Sequence, residues 1–207
     1  MLKIRLIPTL LWKQFGLVKG KSFKSDRRVG PYLPAIKVYN QRDVDELIFL
    51  DILGYENNHE IDYDMISNIG YNCFVPLTIG GGITKIDQVQ KLLRNGADKI
   101  SLNTSVYTNK NLISQIAKKN GTQCVVISID VRKKNHKEWI CYSHSGQFDT
   151  GIEVSEWAKE VEALGAGEIL LTSIDNDGTM KGYDLNLIEK IANTVNIPLI
   201  ASGGAGK

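Results

Sequence analysis

A (β/α)8 barrel assembled from two copies of a half-barrel is the fold class this sequence predicts, on three observations. Short apolar runs recur along the 207 residues and alternate with stretches of helical period. Several runs break into glycine-rich turns, as in Thr78-Ile-Gly-Gly-Gly82 and Ala201-Ser-Gly-Gly204. The runs are also copied: residues 46–52 have the form of 168–174, and 75–83 that of the run 197–206, with Glu46 to Glu168 and Pro76 to Pro198 both spaced by 122 positions. Repeated βα units with β-branched strands call for a parallel sheet covered by helices. Duplication of a four-unit half then favours a closed barrel over an open doubly wound sheet.

Taken in order, the runs place strands at 3–8, 46–52, 75–79, 99–102, 124–130, 168–173 and 198–201. Ile86, Val89, Leu92 and Leu93 form one amphipathic helical face; Val154, Trp157, Ala158, Val161 and Leu164 form another. Thr84 with Asp87 has the form of a capping box that opens the first of these helices. Residues 12–31 after the first strand exceed the usual two to six residues of a βα loop, so they are expected to be a functional lid. Residues 138–147 alternate and contain a glycine turn, the pattern of a small hairpin on the catalytic face. A complete barrel needs about 250 residues, and the seventh strand ends close to Lys207. The expectation is therefore a single barrel domain over 1–207, truncated after strand seven and lacking the eighth βα unit, which would leave two open strand edges.

Composition narrows the function class. With 43% hydrophobic and 23% charged residues the chain reads as globular protein, and a net charge of +2 falls short of a nucleic-acid signature. The basic set Lys13, Lys19, Lys21, Lys24, Arg27 and Arg28 sits in the long loop with few aromatics among it, and suits a lid that screens phosphates better than a nucleic-acid surface. Cys73, Cys124 and Cys141 are odd in number and form no C-x-x-C pair, which argues for reduced thiols and a cytoplasmic protein. No apolar run approaches a membrane span, and the charged start at 1–5 does not suit a signal peptide. His59, His136 and His144 lack metal-ligand spacing, so neither a metal nor a cofactor is expected.

In a barrel of this kind the active site lies at the C-terminal strand ends. Those ends carry Asp51, Thr78, Gly82, Asn103, Thr104, Asp130, Ser173, Asp175, Asp177, Ser202, Gly203 and Gly204. Glycine lets backbone N–H groups approach a phosphate closely, and two such strand ends suggest a ligand with two phosphates.

Three stretches are more specific than any single glycine motif: Gly165-Ala-Gly-Glu-Ile-Leu-Leu-Thr-Ser-Ile-Asp-Asn-Asp-Gly-Thr179, Ala201-Ser-Gly-Gly-Ala-Gly-Lys207 and Gly96-Ala-Asp-Lys-Ile-Ser-Leu-Asn-Thr104. Through them the chain resembles, from strand one to strand seven, the cyclase subunit family of imidazole glycerol phosphate synthase. The resemblance implies an enzyme that receives ammonia from a glutaminase partner through the barrel and closes an imidazole ring on a ribulosyl substrate with a phosphate at each end. It implies one phosphate on Gly82, Asn103 and Thr104, and the other on Asp177, Gly178, Gly203 and Gly204. It implies a charged ammonia gate of Arg5, Glu46, Lys99 and Glu168 at the opposite mouth, beside a partner contact at Asp98. Of the family's catalytic residues, Asp130 and the loop lysine, Lys19, are present.

The resemblance fails at one place. Where the family pattern reads Ile-Pro-Cys-Leu-Asp-Val, this chain has Ile7-Pro-Thr-Leu-Leu-Trp12, so Leu11 stands in place of an acid–base aspartate. Loss of such a group costs about 10²–10⁴-fold in rate. Leu11 and the altered loop resemble paralogues that build amidine groups on surface-polysaccharide sugars, and the expectation is such a paralogue. A histidine-pathway cyclase and a non-catalytic ammonia-channel subunit are the alternatives. The expected partners are a glutaminase and a small phosphorylated or sugar substrate.

Overall fold

The structure, a computed structural model, describes residues 4–14, 16–56, 60–135 and 137–206. The chain divides into two compact units, Met1–Val18 with Arg28–Ser101 and Lys19–Arg27 with Leu102–Lys207.

In the first unit four strands run parallel: β1 (Thr9–Lys13), β4 (Leu47–Asp51), β5 (Leu77–Gly80) and β6 (Lys99–Leu102). Between β1 and the first helix come β2 (Gly16–Lys21) and β3 (Lys24–Gly30), with β2 antiparallel to β1. Helices α1 (Tyr32–Gln41), α2 (Tyr63–Asn72) and α3 (Ile86–Arg94) follow in turn. Leu47, Ile48, Phe49, Leu77, Ile79 and Ile100 are buried, as are Ile36, Ile69, Val89 and Leu92 from the helices. Strands buried on both faces read as nearly continuous apolar runs, which is why the sequence announces them.

The second unit holds α4 (Thr104–Thr108), α5 (Asn111–Asn120), β7 (Val125–Asn135), β8 (Glu138–Ser143), β9 (Phe148–Glu153), α6 (Val154–Leu164), β10 (Glu168–Ser173), α7 (Leu185–Ala192) and β11 (Leu199–Ser202). Strands β7, β10 and β11 are parallel neighbours; β8 and β9 fold back antiparallel from β7. The predicted helical face of α6 is the buried one, with Val154, Trp157, Ala158 and Val161 inside.

The architecture is thus an α/β fold with a mostly parallel sheet, consistent with a (β/α) barrel. The expectation of a chain cut after a seventh strand is not supported, because the described residues form eleven strands. The additional ones are the short antiparallel β2, β3, β8 and β9, and the predicted loop at 12–31 contains a β-hairpin. Strand one also starts later than the 3–8 expected, and Lys3 of that range lies outside the described residues. Leu6 and Pro8 do accept backbone hydrogen bonds from Asp45 and Ile48. Pro8 has no N–H to give in return, so the regular ladder begins at Thr9. The α3 cap also differs from the Thr84–Asp87 box: the backbone N–H groups of Thr84 and Lys85 both donate to Gln88 Oε1, at 2.8 and 2.9 Å.

The duplication survives at atomic detail. Strand β11 lies 122 positions after β5 at both ends, and α7 starts 122 positions after α2. Asp62 and Asp184 are equivalent N-caps that accept from Met65 N at 2.8 Å and Leu187 N at 3.2 Å. Gly81 (φ 111°) leaves no room for a Cβ against Asp51 O, and Gly203 (φ 87°) none against Ser173 O, again equivalent pairs.

Candidate functional site

In the second unit Asp130 is a buried carboxyl residue in a strand whose neighbours Ile129 and Val131 are fully buried. The β7–β10 register places Thr172 beside it, and Ser128, two positions earlier, shares its face. Asn103 Nδ2 donates to Asp130 Oδ2 at 2.8 Å, and the Thr172 and Ser128 hydroxyls donate as well. Burial pushes the carboxyl up to about 7, with the nearby Asp177 charge acting in the same direction against these hydrogen bonds. A carboxyl poised there gives or takes a proton near neutrality. The side-chain oxygen of Asn103, Oδ1, is buried with no hydrogen-bond partner.

Thr104 follows directly, and its Oγ1 accepts from His144 N at 3.0 Å. The β8–β9 hairpin therefore turns beside Asn103 and Thr104, one of the predicted phosphate sets. The other set lies after β10 and β11. Gly178 (φ 67°) approaches so closely that a Cβ would lie 2.2 Å from Gly20 O, while Gly203 and Gly204 also have positive φ. Burial raises the Asp177 carboxyl, opposed by the Gly178 N–H. The tip of the β2–β3 hairpin is fastened to this loop: Ser22 N donates to Asp177 O at 2.8 Å and Ser22 Oγ to Asp175 O at 3.2 Å. Lys19, on β2, is exposed. The carboxylate of Asp175 accepts from Arg132 Nη1 at 3.3 Å and Lys133 N at 3.0 Å.

In the first unit Gly82 (φ 70°) packs so tightly that a Cβ on Gly54 would lie 2.1 Å from its nitrogen. Leu11 is opposite Leu50 on β4 and Val18 on β2. Trp12 packs edge-on to Tyr32 at 5.7 Å. Of the four predicted gate residues, three meet here: buried Glu46 receives Arg5 Nη1 on one oxygen and Lys99 Nζ, at 2.9 Å, on the other. Glu168 is buried at the start of β10 in the second unit. Asp98 is exposed and braces the strand start, its carboxylate accepting from Leu77 N at 2.8 Å.

Sequence reasoning missed Ser128, Thr172 and the exposed apolar side chains Ile4, Leu6, Tyr71 and Phe74. The first two carry a readable signal, being polar residues at inward positions of otherwise apolar strands. Ile4, Leu6 and Phe74 precede β1 and β5, and apolar residues at strand starts look like ordinary core; their exposure is visible only in three dimensions. His59 and His136 lie outside the described residues. Among the described residues no group of three His, Cys, Asp or Glu side chains is placed to hold a metal ion, and no helix is long and apolar enough to cross a membrane.

Comparison with known proteins decides the family. The family model described as "Histidine biosynthesis protein" matches residues 5–207. The imidazole glycerol phosphate synthase subunit HisF of Streptococcus mutans is 46% identical over 206 residues, covering 100% of this chain and 82% of the relative. The same subunit of Prochlorococcus marinus strain MIT 9515 is 49% identical over 208 residues, with 100% and 81% covered. That of Dictyoglomus thermophilum is 47% identical over 206 residues, with 100% and 82% covered. The chain belongs to the HisF family of histidine biosynthesis proteins. It is therefore a member of an enzyme family.

Proposed function

We propose that this chain is the ammonia-using synthase subunit of a glutamine amidotransferase complex, of the imidazole glycerol phosphate synthase type. The observation that carries the reading is Asp130, a buried carboxyl at about 7 clasped by Asn103, Thr172 and Ser128. In this reading Asp130 transfers the proton, Asn103 and Thr104 hold one substrate phosphate, and Asp177, Gly178, Gly203 and Gly204 hold the other under the hairpin that carries Lys19. Arg5, Glu46 and Lys99 belong to the ammonia gate. A glutaminase subunit docks on the rim that exposes Leu6, Phe74 and Asp98. Free Cys73, Cys124 and Cys141 fit a reducing cytoplasm.

The relatives' names favour the histidine-pathway acceptor. One observation favours a second reading, in which the acceptor is a surface-polysaccharide sugar that gains an amidine group: Leu11 cannot transfer the proton that the family's strand-one aspartate transfers. The two readings part on a single assay, ammonia-dependent formation of imidazole glycerol phosphate from the bisphosphorylated ribulosyl substrate. The histidine-pathway reading predicts measurable product from the wild type and at least about a tenfold gain in Leu11→Asp, which restores a general acid–base group. No product from the wild type, with recovery in Leu11→Asp, moves the chain to the second reading.

A further inference from the structure

The turn that joins β8 to β9 takes a left-handed path through two residues that are not glycine. His144, Ser145 and Gly146 have φ of 53°, 53° and 77° in succession, a left-handed path that asparagine and glycine follow at least cost. Two of the three positions instead carry side chains with chemistry. Strain of this kind is retained where the surroundings hold it and a function uses it, and the surroundings here do hold it. His144 N donates to Thr104 Oγ1 at 3.0 Å, the ring Nδ1 shares a hydrogen bond with Ser143 Oγ at 2.8 Å, and the ring packs edge-on to Phe148 at 5.9 Å. On the far side of the turn a Cβ on Gly146 would lie 2.8 Å from Phe23 and 3.2 Å from Ile174. The turn thus roofs the strand ends of this unit, next to the threonine assigned to a phosphate.

That phosphate has an electrostatic problem. Asp130 is one residue removed from it through Asn103, and Asp177 acts on Asp130, so a dianion bound beside Thr104 meets carboxyl groups that supply no positive charge. Thr104 itself offers only a neutral hydroxyl. We propose that His144 is a phosphate-binding residue of this site, whose imidazolium supplies the positive charge that a substrate phosphate on Thr104 requires and makes its binding tighter as pH falls. The charged groups on the elements packed against the turn are Asp149 on β9, bonded to Tyr142; Asp130 beside Asn103; Asp175, held by Arg132, and Asp177 after Ile174; and Lys21 and Lys24 flanking the hairpin tip at Phe23. The inference rests on the reading of Thr104 as a phosphate residue and is independent of which acceptor the enzyme uses.

The test uses sulfate, a tetrahedral dianion that does not itself titrate in the range where an imidazole does. The His144 ring resonance, assigned by its loss in His144→Asn, is followed against pH with and without sulfate; asparagine tolerates the left-handed backbone, so the turn is kept. The expected result is a midpoint raised by about half a pH unit or more, equivalent to at least about threefold tighter sulfate on the charged ring. Thr104→Val should abolish most of that shift, and His144→Asn should flatten the pH dependence of sulfate affinity. A midpoint unmoved by sulfate, a shift unchanged in Thr104→Val, or unaltered pH dependence in His144→Asn overturns the proposal. A protein that shows the shift yet makes no imidazole product keeps this inference and loses the histidine-pathway reading; turnover with a silent His144 does the reverse.

Discussion

Asp130 holds its proton in the folded protein up to about pH 7, whereas the same side chain in the unfolded chain loses it near 3.8. Between those values the native state binds more protons than the unfolded state, so Asp130 makes stability fall as pH rises through the window. Replacing it by asparagine removes the ionisation. Asp130→Asn is therefore expected to be more stable than the wild type at pH 8, by about 2–4 kcal/mol for a shift of this size in a buried group, and to gain little at pH 4. Urea unfolding at the two values checks this; an equal effect at both would show that Asp130 is not held protonated. The residue itself was legible in the sequence, as an acid closing an apolar run. Its raised affinity for a proton was not, because that depends on the enclosure supplied by Ser128, Thr172 and Asn103 from three separate segments. Leu11 was legible for the opposite reason: one residue out of place in a known pattern needs no structure to be seen.

The elements show the same division between what is local and what is assembled. Caps and strand ends follow short patterns, and the duplicated pair Asp62 and Asp184 lets one cap be compared with its copy. Asp62→Ala should cost about 1 kcal/mol, the usual loss of a cap. Asp184→Ala should cost about 2 kcal/mol, because Asp184 also accepts from buried Trp139 Nε1 at 2.9 Å. Equal losses in urea titrations would show that the Trp139 bond contributes nothing. Gly203→Ala places a Cβ about 2.5 Å from Ser173 O at a φ of 87°, a strain that costs upwards of about 1 kcal/mol. It should weaken phosphate-ester binding along with stability, and unchanged affinity would remove Gly203 from the phosphate site. The late start of strand one and the hairpin within 12–31 were not legible for two different reasons. Pro8 delays the ladder, and the hairpin is fixed by contacts such as Ser22 with Asp177, which join residues more than 150 positions apart in the chain.

At the scale of the whole molecule, the proposed function joins the family relationship to the buried carboxyl of Asp130 as ammonia-dependent synthesis. In the proposed function the charged cluster of Arg5, Glu46 and Lys99 serves as part of the ammonia gate. Glu46→Gln leaves two cations sharing a neutral amide, and the expected outcome is impaired glutamine-driven turnover in the complex with ammonium-driven turnover largely kept. Equal losses with both nitrogen sources would make the cluster a structural ion pair instead. The cluster's residue types were legible from the family pattern, whereas the exposed apolar rim beside it was not, since exposure is a property of the folded surface. The most direct measurement is the pH–rate profile of ammonium-driven turnover for the wild type and Asp130→Asn side by side. The account predicts a wild-type limb at about pH 7, and in Asp130→Asn the loss of that limb with a fall of about 10²–10⁴-fold in rate. Asp130→Asn with wild-type turnover and the same limb would contradict it.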